Sequence, residues 1–263
     1  MAQINHVFQR IEKKYLLDDE QYYRFLQAIE PYMTLDEYGH YTICNIYYDT
    51  NHYELVNKSI EKPIYKEKFR VRCYGIPDLE SKVFLEIKKK YKGVVFKRRV
   101  SLTLNETKAY LEEGKKPDKY TQIMNEIDYF LEKYHPEPKL FLAYDRLAYH
   151  GTQDSEIRMT FDTRIRSREY DLSLELGDHG ELLLAENMHL LEIKVNAAMP
   201  MWLAHTLSEL QIYPVSFSKY GSVYKKNHAP KQFVLGGIEN NQSEDEECLQ
   251  VLLNQGIYPL RGW

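Results

Sequence analysis

Residues 69–74, Phe-Arg-Val-Arg-Cys-Tyr, decide the reading of this chain. Alternate positions along a β-strand point to opposite faces. One face of this segment therefore carries Arg70 and Arg72, and the other carries Phe69, Val71 and Cys73. The pattern recurs outward from this segment. Glu86 and Lys88 stand opposite Leu85 and Ile87 in residues 84–90, FLEIKKK. Lys97 and Arg99 share a face in residues 95–100, VFKRRV. Towards the N-terminus, Arg10, Glu12 and Lys14 share one in residues 10–17, RIEKKYLL. Towards the C-terminus come Arg146 in YDRLAY, then Arg158, Thr160 and Asp162 in IRMTFDT, and Glu192 and Lys194 in LLEIKV.

Alternation of this kind predicts about eight strands, near 6–17, 40–48, 65–74, 83–91, 94–104, 138–150, 157–166 and 189–195. Helices are expected at 19–29, at 51–59 after Asp49, at 107–113, at 120–134 and at 201–210 behind Pro200. Tyr91-Lys92-Gly93 reads as a hairpin turn. Residues 239–247, ENNQSEDEE, read as an acidic linker before a short apolar tail, 248–263. The expected division is one domain over 1–230, with 231–263 as linker and tail.

A face of mixed charge usually meets solvent, and that remains the simpler reading of any one strand. The set is different. The aligned faces hold ten bases against three strand-central glutamates, on a chain whose net charge is −4. Like charges on neighbouring strands repel. An anion that neutralises them accounts for their retention, and the Arg fork suits phosphate oxygens. The expected fold is α+β: an eight-stranded antiparallel closed β-barrel, charged faces inward, helices packed outside. Glu192 then becomes the first choice of ligand for Mg²⁺ or Mn²⁺, with Glu12 and Glu86 behind it. Glu192 paired with a neighbouring Lys or Arg is the plainer alternative for that residue.

Composition narrows the classes. Three cysteines, far apart and without metal spacing, argue against a disulfide scaffold or a zinc site. No segment reads as a signal peptide or a membrane span, so a cytoplasmic protein is expected. The acidic total argues against nucleic acid as a partner. Lys88-Lys89-Lys90 and Lys97-Arg98-Arg99 do not overturn this, because alternation sends Lys89 and Arg98 to the other face. The nine histidines show no metal-like spacing.

Taken in order, these motifs together with residues 217–224, FSKYGSVY, resemble the VTC domain, the polyphosphate polymerase domain of the vacuolar transporter chaperone complex. That domain is one of the triphosphate tunnel metalloenzymes, whose eight-stranded tunnel is shared with CYTH-type triphosphatases. The resemblance spans roughly 5–226. It implies that Lys14 is the first-strand base, Arg70 and Arg72 the paired phosphate-binding arginines, and Lys88 and Lys97 the tunnel lysines. Arg146 and Arg158 match arginines of later strands. Glu192 matches the metal-binding glutamate and Lys194 its companion. Ser218 and Lys219 match a late basic site, though Lys219 also reads as a surface residue at a helix start. Arg10 and Arg99 join the substrate-binding set.

The implied reaction is transfer of the ATP γ-phosphoryl group to polyphosphate, with Mn²⁺ or Mg²⁺. The implied partners are ATP and polyphosphate or triphosphate. A triphosphatase, a nucleotide cyclase and a non-catalytic polyphosphate sensor are the rival functions. The first strand differs from the ExExK of the hydrolases, having Arg10-x-Glu12-x-Lys14, which favours the polymerase. The membrane spans of fungal members have no counterpart here, which points to a soluble synthase.

Overall fold

The charged segments are strands, and their alternation defines the two faces of a single antiparallel sheet. The computed structural model describes residues 10–92, 94–117, 121–196 and 198–228. In chain order the elements are β1 (Arg10–Asp18), α1 (Asp19–Ile29), β2 (Met33–Asp49), α2 (Glu54–Ile60), β3 (Tyr65–Tyr74), β4 (Lys82–Tyr91) and β5 (Val94–Thr103). They continue with α3 (Leu104–Glu113), α4 (Gln122–Tyr134), β6 (Glu137–Gly151), β7 (Arg158–Arg168), β8 (Glu181–Leu182), β9 (Met188–Asn196), α5 (Met201–Glu209) and α6 (Lys219–His228). Gly93 of the expected hairpin turn, and the linker and tail at 231–263, lie outside the described residues.

Hydrogen-bonded neighbours run β1-β9-β7-β6-β2-β3-β4-β5, with the short β8 added to β7. The expected closed eight-stranded barrel therefore becomes an open sheet of nine strands. Among the described residues no ladder joins β1 to β5, yet both strands line the same cavity, so the sheet curls round it. Like charge on the two ends is a physical reason for the open seam. β5 carries Lys97, Arg98 and Arg99, β1 carries Lys13 and Lys14, and facing cations oppose pairing.

Local chemistry fixes the helices. The Asp18 carboxylate accepts from the Gln21 backbone while the Gln21 side chain reaches back, a capping box that starts α1. Tyr22, Phe25 and Ile29 then recur on the buried side of α1. Thr103 and Glu106 make a second box at α3. Asp49 works from further back than a usual cap. Its carboxylate accepts from the backbones of Thr50, Leu55 and Val56 and from the Tyr220 hydroxyl, tying α2 to α6.

Two helix pairs cover the outer face. α3 and α4 bring Leu104, Tyr110, Met124, Ile127 and Phe130 against Phe69, Val71, Leu85 and Ile87. α1 and α5 bring Phe25, Ile29, Leu203 and Leu207 against Met159, Phe161, Leu191 and Ile193. Each fully buried side chain of this size stabilises by about 1.5–3 kcal/mol. A third apolar cluster occupies the inner face. Ile43, Tyr47, Leu140, Leu142, Tyr144 and Leu190 meet Val56 of α2 and Tyr220 and Val223 of α6. The interior is thus part apolar plug and part charged cavity, and the expected Arg and Lys lining holds only for the second part.

Candidate functional site

The cavity is about 400 Å³ and opens inside the curl of the sheet. Nine bases and three acids line it: Lys14, Lys68, Arg70, Arg72, Lys88, Lys97, Arg146, Lys194 and Lys219 against Glu12, Glu86 and Glu192. Carboxylates organise this wall from two sides.

On the first side, strand register sets Glu86 of β4 between Arg70 of β3 and Arg99 of β5. Glu86 is only 2% exposed. Its Oε2 accepts from Arg70 Nε at 2.8 Å and lies 2.7 Å from Arg70 Nη2. Lys97 Nζ is 2.7 Å from Oε1. Arg99 and Arg72 stand at 3.7 and 3.9 Å. Burial pushes the Glu86 carboxyl up, but Arg70, Arg72 and Lys97 outweigh it and hold it at about 2. Arg72 is fixed further by Asn45 Oδ1 at 2.8 Å and the Tyr144 hydroxyl at 2.9 Å. Arg70 Nη1 donates to the Tyr47 hydroxyl at 2.8 Å.

On the second side, Asp162 of β7 is fully buried and takes the Arg146 fork at 2.6 and 2.7 Å. Lys219, the first residue of α6, reaches Asp162 at 2.5 Å and Glu192 at 3.3 Å. Lys14 and Lys194 approach Glu192 at 3.5 and 3.7 Å. Burial disfavours the Glu192 charge, yet Lys219, Lys14 and Lys194 hold its carboxyl well below the usual range. The same exchange holds the Lys219 ammonium above its usual value: burial opposes the charge, and Asp162 and Glu192 overcome it. The cations at this site are thus pre-set by buried acids, while the lining as a whole keeps an excess of positive charge.

The sequence profile of the VTC domain matches residues 9–228. The chain belongs to the VTC domain family. Solved structures with a similar course include a candidate adenylate cyclase from Bacillus halodurans, at 16% identity and a TM-score of 0.47, covering 80% of this chain and 95% of that one. Another is a candidate adenylyl cyclase from Hippeastrum, described as having a dominant triphosphatase activity, at 14% identity and a TM-score of 0.49, covering 82% and 95%. No curated protein matches the chain.

In this VTC domain, Lys14, Arg70, Arg72, Lys88, Lys97, Arg146, Glu192, Lys194, Ser218 and Lys219 come together on one cavity. Arg158 and Arg99 do not line it. Arg158 shares a face with Thr160 and Asp162, but it is the first residue of β7 and is exposed at the rim. Periodicity gives the face of a residue and not its depth. Arg99 lies beyond Glu86, with its guanidinium 3.3 Å from the Phe84 ring centre. Arg10 pairs with Asn196 through the β1–β9 ladder, and its side chain lies outside the described residues. Lys219 does start a helix, as one reading had it, but it is buried rather than at the surface.

Sequence reasoning missed Lys68, Tyr47, Tyr144 and Tyr220 as lining residues of this VTC domain. Lys68 was available, because it stands two positions before Arg70 on the same alternation. Burial lowers its ammonium to about 8, helped by Lys14, Lys66 and Lys88 and opposed by Tyr47. Tyr47 shows the converse. Burial raises its phenol, but Arg70, Arg72 and Lys68 bring it down to about 8.

A divalent cation is the remaining expectation for the VTC domain. Among the described residues, no three His, Cys, Asp or Glu side chains are grouped to hold one. The donor chemistry fits a lighter role. Magnesium-type ions in phosphate sites are held by one or two carboxylates together with phosphate oxygens and water. Glu192 and Glu12 stand diagonally across the β1–β9 ladder, and both line the cavity. They suit an ion that arrives with its phosphates.

Proposed function

We propose that this VTC domain is a polyphosphate polymerase that transfers the ATP γ-phosphoryl group to the end of an inorganic polyphosphate chain. The observation that carries the reading is the nine-to-three excess of bases over acids on one enclosed wall. Such a wall is unfavourable when empty and complementary to a chain of phosphates. Family membership supports the same substrate class.

In this reaction the bond from the γ-phosphorus to its bridging oxygen breaks and ADP leaves. An oxygen of the terminal phosphate forms the new P–O bond. That acceptor is already ionised, so the enzyme has to position and neutralise rather than remove a proton. Arg70, Arg72 and Lys97, braced by Glu86, would hold phosphates from one side. Arg146 and Lys219, braced by Asp162, would hold them from the other. Lys14, Lys88 and Lys194 complete the cage, and Ser218 accepts from Lys68 at 3.3 Å to fix that amine. Glu192, with Glu12, would hold Mn²⁺ or Mg²⁺, and such an ion would supply neutralisation of charge on the leaving group.

A second reading, a metal-dependent triphosphatase, draws on one feature. Hydrolysis must take a proton from water. The Tyr47 phenol, brought down to about 8 against the effect of burial by Arg70, Arg72 and Lys68 and on the cavity wall, could do so as its phenolate, the form that dominates above about pH 8. Incubation with ATP and Mn²⁺, followed by electrophoresis, separates the readings. A ladder of polyphosphate supports the polymerase. ADP and orthophosphate alone support the triphosphatase. Tight polyphosphate binding without turnover makes the protein a sensor.

A further inference from the structure

The inner face of the sheet changes character along its strands. On β3 the alternating row reads Lys66, Lys68, Arg70, Arg72, Tyr74. On β4 the same face reads Lys90, Lys88, Glu86, Phe84, with Phe84 opposite Arg72. On β2, Tyr41 lies two positions before Ile43 on that face and stands opposite Arg146 of β6. At the end of the sheet away from Lys66, charge thus gives way to rings. The centroids of Tyr41 and Tyr74 are 5.9 Å apart, and those of Tyr74 and Phe84 are 5.7 Å apart. Arg99 of β5 completes the group. Its guanidinium lies 3.3 Å from the Phe84 centroid and 5.8 Å from that of Tyr74.

This group differs from the ring contacts that hold the fold. Phe69 and Phe130, whose centroids are 5.5 Å apart under α4, are both fully buried. Tyr74 is 48% exposed, and Tyr41 and Phe84 are half-buried. Ring surface is therefore left open to water beside a cavity built for anions. The change is abrupt, since Tyr74 follows Arg72 by only ~7 Å at ~3.4 Å per residue. The Tyr41 phenol is raised chiefly by burial, against the pull of Arg146, and Tyr74 and the half-buried Asp36 add to the rise. An acid and phenols at this mouth disfavour a further phosphate there. A flat, uncharged group carried on the phosphates suits it.

Aromatic side chains and arginine offer such a group a stacking surface, and a nucleobase is the group that stacks on them. We propose that Tyr74, Phe84 and Arg99 form a nucleobase subsite, which stacks the base of a nucleoside triphosphate whose phosphates lie among Arg70, Arg72 and Arg146. This rests on the reading of the inner cavity as a phosphate site. The subsite gives the donor a direction: with its base at Tyr74, the terminal phosphate points along the β3 row towards Arg70. It also separates a nucleotide from a triphosphate that lacks a base. Stacking of one base is worth roughly tenfold in affinity.

The test is titration calorimetry in EDTA at fixed ionic strength, with ATP, ribose 5-triphosphate and inorganic tripolyphosphate. The first two differ only by the base. The wild-type protein is compared with Tyr74→Ala, Phe84→Leu and Tyr74→Phe, and thermal melting confirms that each variant is folded. The wild type should bind ATP roughly tenfold more tightly than ribose 5-triphosphate. Tyr74→Ala and Phe84→Leu should lose most of that margin and keep tripolyphosphate affinity within about twofold. Tyr74→Phe, which retains the ring, should keep the margin. Equal wild-type affinity for ATP and ribose 5-triphosphate would overturn the nucleobase subsite, as would a margin that survives in Tyr74→Ala and Phe84→Leu. Failure of the wild type to bind tripolyphosphate would instead overturn the phosphate reading of the inner cavity.

Discussion

Arg146 and Asp162, neighbours across the β6–β7 ladder, form a two-pronged ion pair at 2.6 and 2.7 Å beneath the cavity wall. Asp162 is fully buried and also takes the Lys219 ammonium. Removing the charge from such an acid strands two cations away from water. Asp162→Asn should therefore cost about 3–5 kcal/mol of stability, read from urea denaturation. A loss below ~1 kcal/mol would mean that the pair does not anchor the wall.

Glu86 gives a pH prediction. Its carboxyl is held at about 2 in the folded protein, below the usual value near 4.5. A depressed carboxyl contributes stability that is present above the unfolded value and lost as pH falls through the folded one. The contribution, about 3 kcal/mol from the size of the shift, should fade between roughly pH 4.5 and 2. Glu86→Gln should flatten the stability profile across that window. A variant profile that falls as steeply as the wild type's there would contradict the assignment.

Anions should stabilise the protein beyond simple screening. A ligand that binds only the folded state contributes about 2.7 kcal/mol at 100 times its dissociation constant. For a chain of this size that is a rise in Tm of roughly 5–10 °C. Differential scanning calorimetry with tripolyphosphate, against chloride at matched ionic strength, makes the comparison. Equal shifts would remove the case for a specific phosphate site.

Depth in the sheet should separate two arginines that the sequence treats alike. Arg146→Ala removes a braced group on the cavity wall. Arg158→Ala removes an exposed group at the rim. Tripolyphosphate affinity should fall at least tenfold in the first and much less in the second. Equal losses would show that the rim joins the site when ligand is bound.

The proposed ion partner of Glu192 is open to a kinetic check. Glu192→Gln keeps the shape of the side chain and removes its charge. The Mn²⁺ concentration giving half-maximal turnover should rise several-fold. An unchanged metal dependence would return Glu192 to the plainer role of a partner for Lys14, Lys194 and Lys219.

Much of this arrangement can be read from two-residue spacing. FRVRCY, FLEIKKK and LLEIKV each place an apolar face on the helices and a charged face on the cavity, and the structure has them so. Three things escape that rule. Residues 140–144 are apolar on both faces, and residues 43–48 nearly so apart from Asn45, as in strands covered on both sides; the interior plug of Ile43, Leu140 and Leu142 follows from this. Lys68 escapes only because the motif was read from Phe69 onward. The unjoined strands β1 and β5 could not be foreseen, because closure depends on partners far apart in sequence, from Asp18 to Val94 at the least.

That seam has a consequence for how molecules of this protein meet one another. An unpaired strand edge is an invitation to strand addition by a second copy, and the described ladder has two such edges. Both are stocked with cations: Lys13 and Lys14 on β1, and Lys97, Arg98 and Arg99 on β5. Lys14 and Lys97 thus serve twice: they line the cavity, and they add to the like charge on the two edges that opposes strand pairing between copies.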